Sequence, residues 1–324
     1  MEQTKIVICD LDHENIVDEE QVFSAANERF RWLHCKTQDE VIEKCKCAVV
    51  LLNQYVKMDA KIFQALPTVK CVIRYGVGYD NCNLADADQY GVQICNIPDY
   101  GTCEVADHAL AHMMNLIRKI SFENHAVHNG VWDYRKEIPI FRLKDSTVGI
   151  CGVGRIGSEF AHRVHALGCR VIAYDIDQKS TIRTFPNFLE FVSLDELLKE
   201  SDIISIHCPL NENSYHMFSD EQFNRMKSTS YLINVSRGGI VDEEALYRAL
   251  TSGKIAGAAL DVVEKEPLSP SSHLLALNNF YISPHTAWYS EESSHELKRK
   301  AAQEAIRFLN NEPVHYPVNL KGDK

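Results

Sequence analysis

Thr147–Val148–Gly149–Ile150–Cys151–Gly152–Val153–Gly154–Arg155–Ile156–Gly157 is a short apolar run that ends in G-x-G-x-x-G. An amphipathic segment, 158–167, follows without a break, so the stretch reads as strand, tight turn, helix. In that arrangement Gly152 allows the turn, Gly154 lets a pyrophosphate approach the backbone, and Gly157 lets the helix pack close to its strand. The helix start offers free N–H groups and about half a positive charge to the pyrophosphate. A second apolar run, 170–174, ends in Asp175, near the ~20-residue offset of a carboxylate that takes the adenosine ribose hydroxyls. The glycine pattern alone is also that of an ordinary α/β turn. The strand before it, the helix after it and the acid make it a dinucleotide site. Asp175, with Asp177 adding to it, repels a 2′-phosphate, so the expected cofactor is NAD(H) rather than NADP(H).

At 324 residues the chain has the length of about two domains. Hydrophobic residues at 45% and charged residues at 24% supply an ordinary globular core. A net charge of −11 argues against a nucleic-acid partner, which needs a basic face. No apolar run approaches the ~18 residues of a membrane span. Residues 1–4 run straight into a strand-like stretch, without the basic and apolar regions of a signal peptide. The cysteines number eleven, are scattered, and form no C-x-x-C; several, among them Cys9, Cys71, Cys95 and Cys151, sit in apolar strands. They read as buried thiols of a cytoplasmic protein.

Working outward from the turn, residues 147–284 form a βα series. Strands are expected near 148–152, 170–174, 203–207, 230–235, 255–260 and 280–283, and helices near 156–167, 194–199, 220–226 and 242–252. This predicts a six-strand dinucleotide domain. Residues 1–100 also alternate, with strands at 6–9, 30–34, 48–52, 69–73 and 92–95 and helices at 17–27, 38–45 and 60–65. That is a parallel sheet with helices on both faces, and it has no glycine fingerprint. The turn-rich Ile97–Pro98–Asp99–Tyr100–Gly101 marks a domain crossing. A long helix over 103–129 is expected next, with Val105, Ala109, Leu110, Met113, Leu116 and Ile117 at helical spacing. His108 and His112 stand at metal-ligand spacing, but no third ligand accompanies them, so no metal is expected. The stretch 130–144 reads as an arm that packs on a partner subunit. Segment 291–309 is one amphipathic helix, and 313–320 a proline-marked tail. The expected fold is α/β, with two Rossmann-like doubly wound parallel-sheet domains. One is a discontinuous, flavodoxin-like substrate domain, 1–99 with 289–324; the other is an NAD-binding domain, 100–288.

Three constellations follow the glycine turn, each at the end of an expected strand: Asn234–Val235–Ser236–Arg237–Gly238–Gly239, Asp261–Val262–Val263–Glu264–Lys265–Glu266–Pro267, and Ser283–Pro284–His285–Thr286–Ala287–Trp288. Hydride transfer to a 2-keto acid needs a planar cation for the carboxylate, which arginine supplies. It needs a proton donor and acceptor that works near neutral pH, a histidine. It also needs a carboxylate that orients the ring and favours imidazolium. Arg237, His285 and Glu266 supply these roles, although composition does not choose between Glu264 and Glu266. In the first domain, Arg74–Tyr75–Gly76–Val77–Gly78–Tyr79–Asp80–Asn81 lies at a strand end, where it is either a plain turn or an anion nest.

The chain resembles the D-2-hydroxyacid dehydrogenase family over nearly its full length. GVGRIG, Asp175, HCPL (207–210), NVSRGGIVDEEAL, GAALDVVEKEP and SPHTAW carry the resemblance. It implies that Arg237 binds the substrate carboxylate and keto oxygen, that His285 is the acid/base, and that Glu266 pairs with it. Asp261 would contact the nicotinamide, and Cys208 and Pro209 would line the adenine pocket. Gly152, Gly154, Arg155, Ile156, Gly157, Asp175 and Val235 complete the cofactor set. Val77 and Gly78 would donate N–H groups to the substrate carboxylate. Within the family, HTAWYSEES is most similar to the C-terminal-binding-protein branch, which holds enzymes and transcriptional corepressors. Trp288 then either walls the substrate pocket or packs in the core. The run Glu104–Asp107 departs from that branch, with Val105 where it has Thr, toward the phosphoglycerate-dehydrogenase type. The expected protein is a cytoplasmic NAD-dependent oxidoreductase that interconverts a 2-keto acid and its D-2-hydroxy acid. It is expected to be a homodimer through helix 103–129 and arm 130–144, without nucleic-acid or membrane partners. The alternatives are a 3-phosphoglycerate dehydrogenase, with Arg74 or Arg135 taking the phosphate, and a nucleotide-sensing corepressor-like dimer.

Overall fold

The computed structural model describes residues 4–177 and 185–319. Residues 1–3, and the end of the expected tail at Leu320, lie outside the described residues. The chain divides into two compact units, Met1–Gly101 with Ser290–Lys324, and Thr102–Tyr289.

The first unit is built on β1 (Ile6–Ile8), β2 (Phe30–Trp32), β3 (Val50–Asn53), β4 (Cys71–Arg74) and β5 (Gln93–Cys95). All pairings are parallel, in the order β2-β1-β3-β4-β5, the flavodoxin-like arrangement. Strands β1 and β3 are buried along their whole length, as a sheet covered on both faces requires. The helices α1 (Val17–Ala25), α2 (Gln38–Lys44), α3 (Ala60–Ala65) and α4 (Leu84–Tyr90) lie between them. Thr37, Asp59 and Asn83 cap α2, α3 and α4 by accepting from backbone N–H groups. At the end of β1, the buried Asp10 carboxylate accepts from the amides of Gln54, Tyr55 and Val56 and from Asn53 Nδ2, which fixes the loop after β3.

The second unit contains β6 (Thr147–Cys151), β7 (Arg170–Tyr174), β8 (Glu190–Phe191), β9 (Ile203–Ile206), β10 (Tyr231–Asn234), β11 (Gly257–Leu260) and β12 (Phe280–Ile282). They form one parallel sheet in the order β12-β11-β10-β9-β6-β7-β8. Strand order reverses between β6 and β9, and that switch point is where doubly wound sheets take their ligands. The expected six strands are therefore joined by a seventh, the two-residue β8, which pairs with Ile172 and Ala173 at the sheet edge. Its helices are α5 (Thr102–Arg118), α6 (Ile120–His128), α7 (Arg155–Ala166), α8 (Leu194–Glu200), α9 (Asp220–Arg225) and α10 (Glu243–Thr251); α11 (Glu291–Leu309) belongs to the first unit, against α1, β3 and β4. One face of the second sheet packs on α5 and α7, the other on α8, α9 and α10.

The single helix expected over 103–129 is two helices. Lys119 takes a left-handed φ of 55° and donates from Nζ to Glu137 O at 2.7 Å. Asn115 Oδ1 accepts from Ser121 N at 2.9 Å and from Ser121 Oγ at 2.8 Å, so the chain turns between the two helices. Helix α5 buries Val105, Ala106, Ala109, Met113, Leu116 and Ile117, whereas α6 buries no residue. The eleven cysteines are all free thiols; Cys47 and Cys103 are exposed, Cys208 is intermediate, and the others are buried.

Candidate active site

The three glycines of the turn meet different surroundings. Gly152 has a φ of +94°, and a Cβ there would lie 2.5 Å from Cys208 N, so the turn packs on the chain leaving β9. A Cβ at Gly157 would lie 2.1 Å from Gly152 O, which is how closely α7 sits on its own turn. Beside Gly154 nothing lies within 4 Å of a Cβ position. Gly154 is also the N-cap of α7, without a side-chain cap and without an acidic residue in the first turn. Open space faces a helix start that no side chain caps, which fits an incoming phosphate. Asp175 Oδ2 accepts from Val153 N at 2.7 Å and Oδ1 from Asp177 N at 2.8 Å, so this buried acid also shapes the turn. These residues fit a dinucleotide.

Across the switch point, His207 N donates to Cys151 O at 2.7 Å and ties the end of β9 to β6. The hydrogen bond with Cys151 draws the Cys208 thiol below its ordinary range. Ser236 Oγ donates to Cys208 O. Pro209 is exposed and Val235 is buried behind the Ser236–Arg237 turn. Arg155 is exposed and Ile156 packs partly against the α5 core.

Arg237 is half-buried and follows β10. The next residue, Gly238, has no room for a side chain: a Cβ would lie 1.9 Å from Val263 C. This close approach brings the arginine turn against the loop after β11. In that loop Glu266 Oε2 lies 2.6 Å from His285 Nδ1, which comes from the end of β12. A carboxylate only accepts, so Nδ1–H donates and Nε2 is the other ring nitrogen. Burial pushes the Glu266 carboxyl up. The His285 bond and charge, the Val263 amide and the Arg237 charge outweigh burial and hold it below its ordinary range. Glu264 is turned elsewhere, accepting from Glu243 N at 3.0 Å with His216 Nε2 at 3.2 Å. Geometry thus distinguishes two acids that composition leaves equal. Arg237, Glu266 and His285 gather on one edge of the sheet.

Asp261 directly follows β11 and is buried. It accepts from Ser283 Oγ at 2.6 Å, Thr286 N at 2.9 Å and Ala287 N at 2.9 Å. His108 and His112 both direct Nε2 at Ser283 Oγ, and His108 Nε2 lies 3.6 Å from Asp261 Oδ1. The sequence signals this contact only through the shared helix face of His108 and His112; nothing in it gives Ser283 a role. Trp288 is partly buried against the α5 core and meets Tyr289 edge-on at 5.4 Å. In the first unit, Val77 and Gly78 lie past the end of β4. Gly76 O accepts from Ile97 N at 3.0 Å and Val77 O from Asn96 Nδ2 at 2.7 Å. Among the described residues, no hydrogen bond occupies the amides of Val77 and Gly78.

A doubly wound dinucleotide sheet with an imidazole–carboxylate pair and an arginine at its strand ends defines a class, the nicotinamide-dependent α/β dehydrogenases. Residues 110–287 match the family model "D-isomer specific 2-hydroxyacid dehydrogenase, NAD binding domain". A glyoxylate reductase of Korarchaeum cryptofilum is 38% identical over 87% of this chain and 84% of its own. A D-3-phosphoglycerate dehydrogenase of Archaeoglobus fulgidus is 37% identical over 88% of this chain and 54% of its own. The structure of D-lactate dehydrogenase from Aquifex aeolicus, complexed with NAD and lactic acid, superposes with a TM-score of 0.88 at 26% identity, covering 98% of this chain and 100% of that one. The chain belongs to the D-isomer specific 2-hydroxyacid dehydrogenase family.

Proposed function

We propose that the chain uses NADH to reduce a 2-keto acid to its D-2-hydroxy acid, and runs the reverse, with His285 as acid/base. The observation that carries this reading is the 2.6 Å contact of His285 with Glu266, beside Arg237. When bound, NADH supplies the hydride that reaches C2. Gly152, Gly154, Arg155, Ile156 and Gly157 would hold the pyrophosphate side, Asp175 the ribose, Cys208 and Pro209 the adenine side and Asp261 the nicotinamide, with Val235 completing the cofactor set. Arg237 holds the carboxylate and polarises the keto oxygen. With Nδ1 committed to Glu266, His285 delivers the proton from Nε2 to that oxygen, and the carboxylate stabilises the imidazolium before and after. In the first unit, Val77 and Gly78 offer backbone N–H groups suited to a carboxylate.

The substrate is a small 2-keto acid, the class to which the relatives named for glyoxylate and phosphoglycerate point. The test is NADH oxidation at 340 nm with glyoxylate, hydroxypyruvate, a methylthio keto acid and phosphohydroxypyruvate. Turnover of one of them, lost in His285→Ala, supports the reading; no turnover with any overturns it. The HTAWYSEES stretch supports placement in the C-terminal-binding-protein branch as a finer reading. The free thiols support a reducing, cytoplasmic setting. No helix among the described residues is long and apolar enough to cross a membrane. We further place self-association at α6 and the arm 130–144. Ile120, Val127, Trp132, Tyr134, Ile138 and Phe141 are exposed there, more apolar surface in one stretch than scattered side chains explain.

A further inference from the structure

Helix α5 carries His108 and His112 one turn apart, and both rings direct Nε2 at one hydroxyl. Ser283 Oγ lies 2.8 Å from the first and 3.0 Å from the second. The same oxygen lies 2.6 Å from Asp261 Oδ1. A serine has one proton to donate, and the Asp261 carboxylate offers only lone pairs. The serine proton therefore points at Asp261, and both imidazoles donate to Ser283 through Nε2–H. Burial, aided by the charge of His108, pushes His112 down to about 4, so that ring is neutral with its one proton on Nε2. The network has one direction, from helix α5 into Asp261, through Ser283 and with His108 Nε2 itself 3.6 Å from Asp261 Oδ1.

Asp261 passes this constraint on. Its main-chain oxygen accepts from His285 N at 2.8 Å, Oδ1 from Thr286 N and Oδ2 from Ala287 N, the last two at 2.9 Å. Successive amides of one turn are thus held by one residue. The turn needs holding, because His285 has a φ of 54°, a left-handed conformation that a residue with a side chain rarely adopts.

We propose that His108, His112 and Ser283 are positioning residues: their hydrogen bonds orient the Asp261 carboxylate and, through it, the strained turn that presents His285. The proposal rests on the catalytic reading of His285 and deepens it. A 1 Å displacement of a reacting group costs up to about a hundredfold in rate. Asp261 also faces the nicotinamide in the proposed mechanism, so loosening the turn lowers kcat far more than NADH affinity, most of which the pyrophosphate and ribose contacts carry.

The experiment compares Ser283→Ala, Ser283→Thr, His108→Leu and His108→Gln with the wild type. Glutamine keeps an N–H donor near the Nε2 position and threonine keeps the hydroxyl. Expected are a fall in kcat of about tenfold or more for the alanine and leucine variants, NADH affinity within about twofold, and recovery to within about threefold for threonine and glutamine. Wild-type kcat in Ser283→Ala and His108→Leu, or equal losses in the conservative and disruptive variants, overturns the proposal. So does a loss matched by an equal fall in NADH affinity. If the wild type turns over no 2-keto acid, the catalytic reading fails separately. The positioning claim is then decided by the His285 ring resonances in NMR. They shift in Ser283→Ala and His108→Leu and stay put in His108→Gln; unshifted resonances in all variants overturn it.

Discussion

His285 Nδ1 is taken by Glu266, and in the proposed mechanism Nε2 is left for the reaction. His285→Ala removes both, and the expected loss of kcat is about a thousandfold, within the usual range for a general acid. NADH affinity, followed by fluorescence titration, stays within about twofold, and a variant with near-full activity would remove His285 from the mechanism. A different acid governs stability. Glu19 is fully buried on α1, with Oε1 accepting from Tyr75 OH at 2.9 Å and Oε2 without a partner among the described residues. Burial raises its carboxyl from 4.5 to about 7, against the pull of the backbone, Tyr75 and Lys298. The folded state thus holds this proton more tightly than the unfolded chain. The stability this lends is full below the unfolded value of 4.5 and is lost as pH rises through about 7. The span corresponds to at most about 3 kcal/mol. Urea unfolding at pH 5 and pH 8 measures it: the Glu19→Gln variant loses less stability between the two than the wild type, and equal losses would exclude Glu19 as the source.

Among the elements, the β6–α7 turn separates shape from binding. Gly152→Ala forces a Cβ into the Cys208 backbone at a left-handed φ, so it fails as a fold of the second unit. Gly154→Ala meets nothing within 4 Å and keeps the melting temperature. On the proposed cofactor placement its methyl takes the phosphate's place, and NADH binding is expected to weaken about tenfold or more. Calorimetry and titration on the same samples read both; a Gly154→Ala variant with wild-type affinity would move the pyrophosphate elsewhere. This turn, the alternation of the first unit and the strand-end groups were legible because each is a local pattern of glycine or apolar spacing. Strand β8 was not, since two edge residues leave no period to read. The break at Lys119 was not either, because lysine is a good helix former and the side-chain bonds that end α5 lie outside the apolar pattern. His108 and Ser283 stand 175 residues apart, and only the folded sheet joins them. The acid that serves His285 was likewise decided by Glu264 being drawn to α10.

For the molecule as a whole, the apolar stretch from α6 through the arm is the part that asks for company. Trp132 is 88% exposed and Ile138 65%, values that an isolated chain in water does not favour. Sedimentation of the wild type is expected to give a dimer, and the double variant Trp132→Asp, Ile138→Asp a monomer that still binds NADH. A wild-type monomer at micromolar concentration would leave this surface to another partner. The distribution of thiols has a practical consequence at the same scale. Burial raises several of them, with Cys45 and Cys82 pushed to about 12, and so withholds the reactive thiolate. The exposed pair, Cys47 and Cys103, falls one to each unit. Once Cys208, partly exposed and drawn below its ordinary range, is replaced by serine, the native sequence leaves one exposed thiol on each unit as an attachment point for a label, with no cysteine introduced.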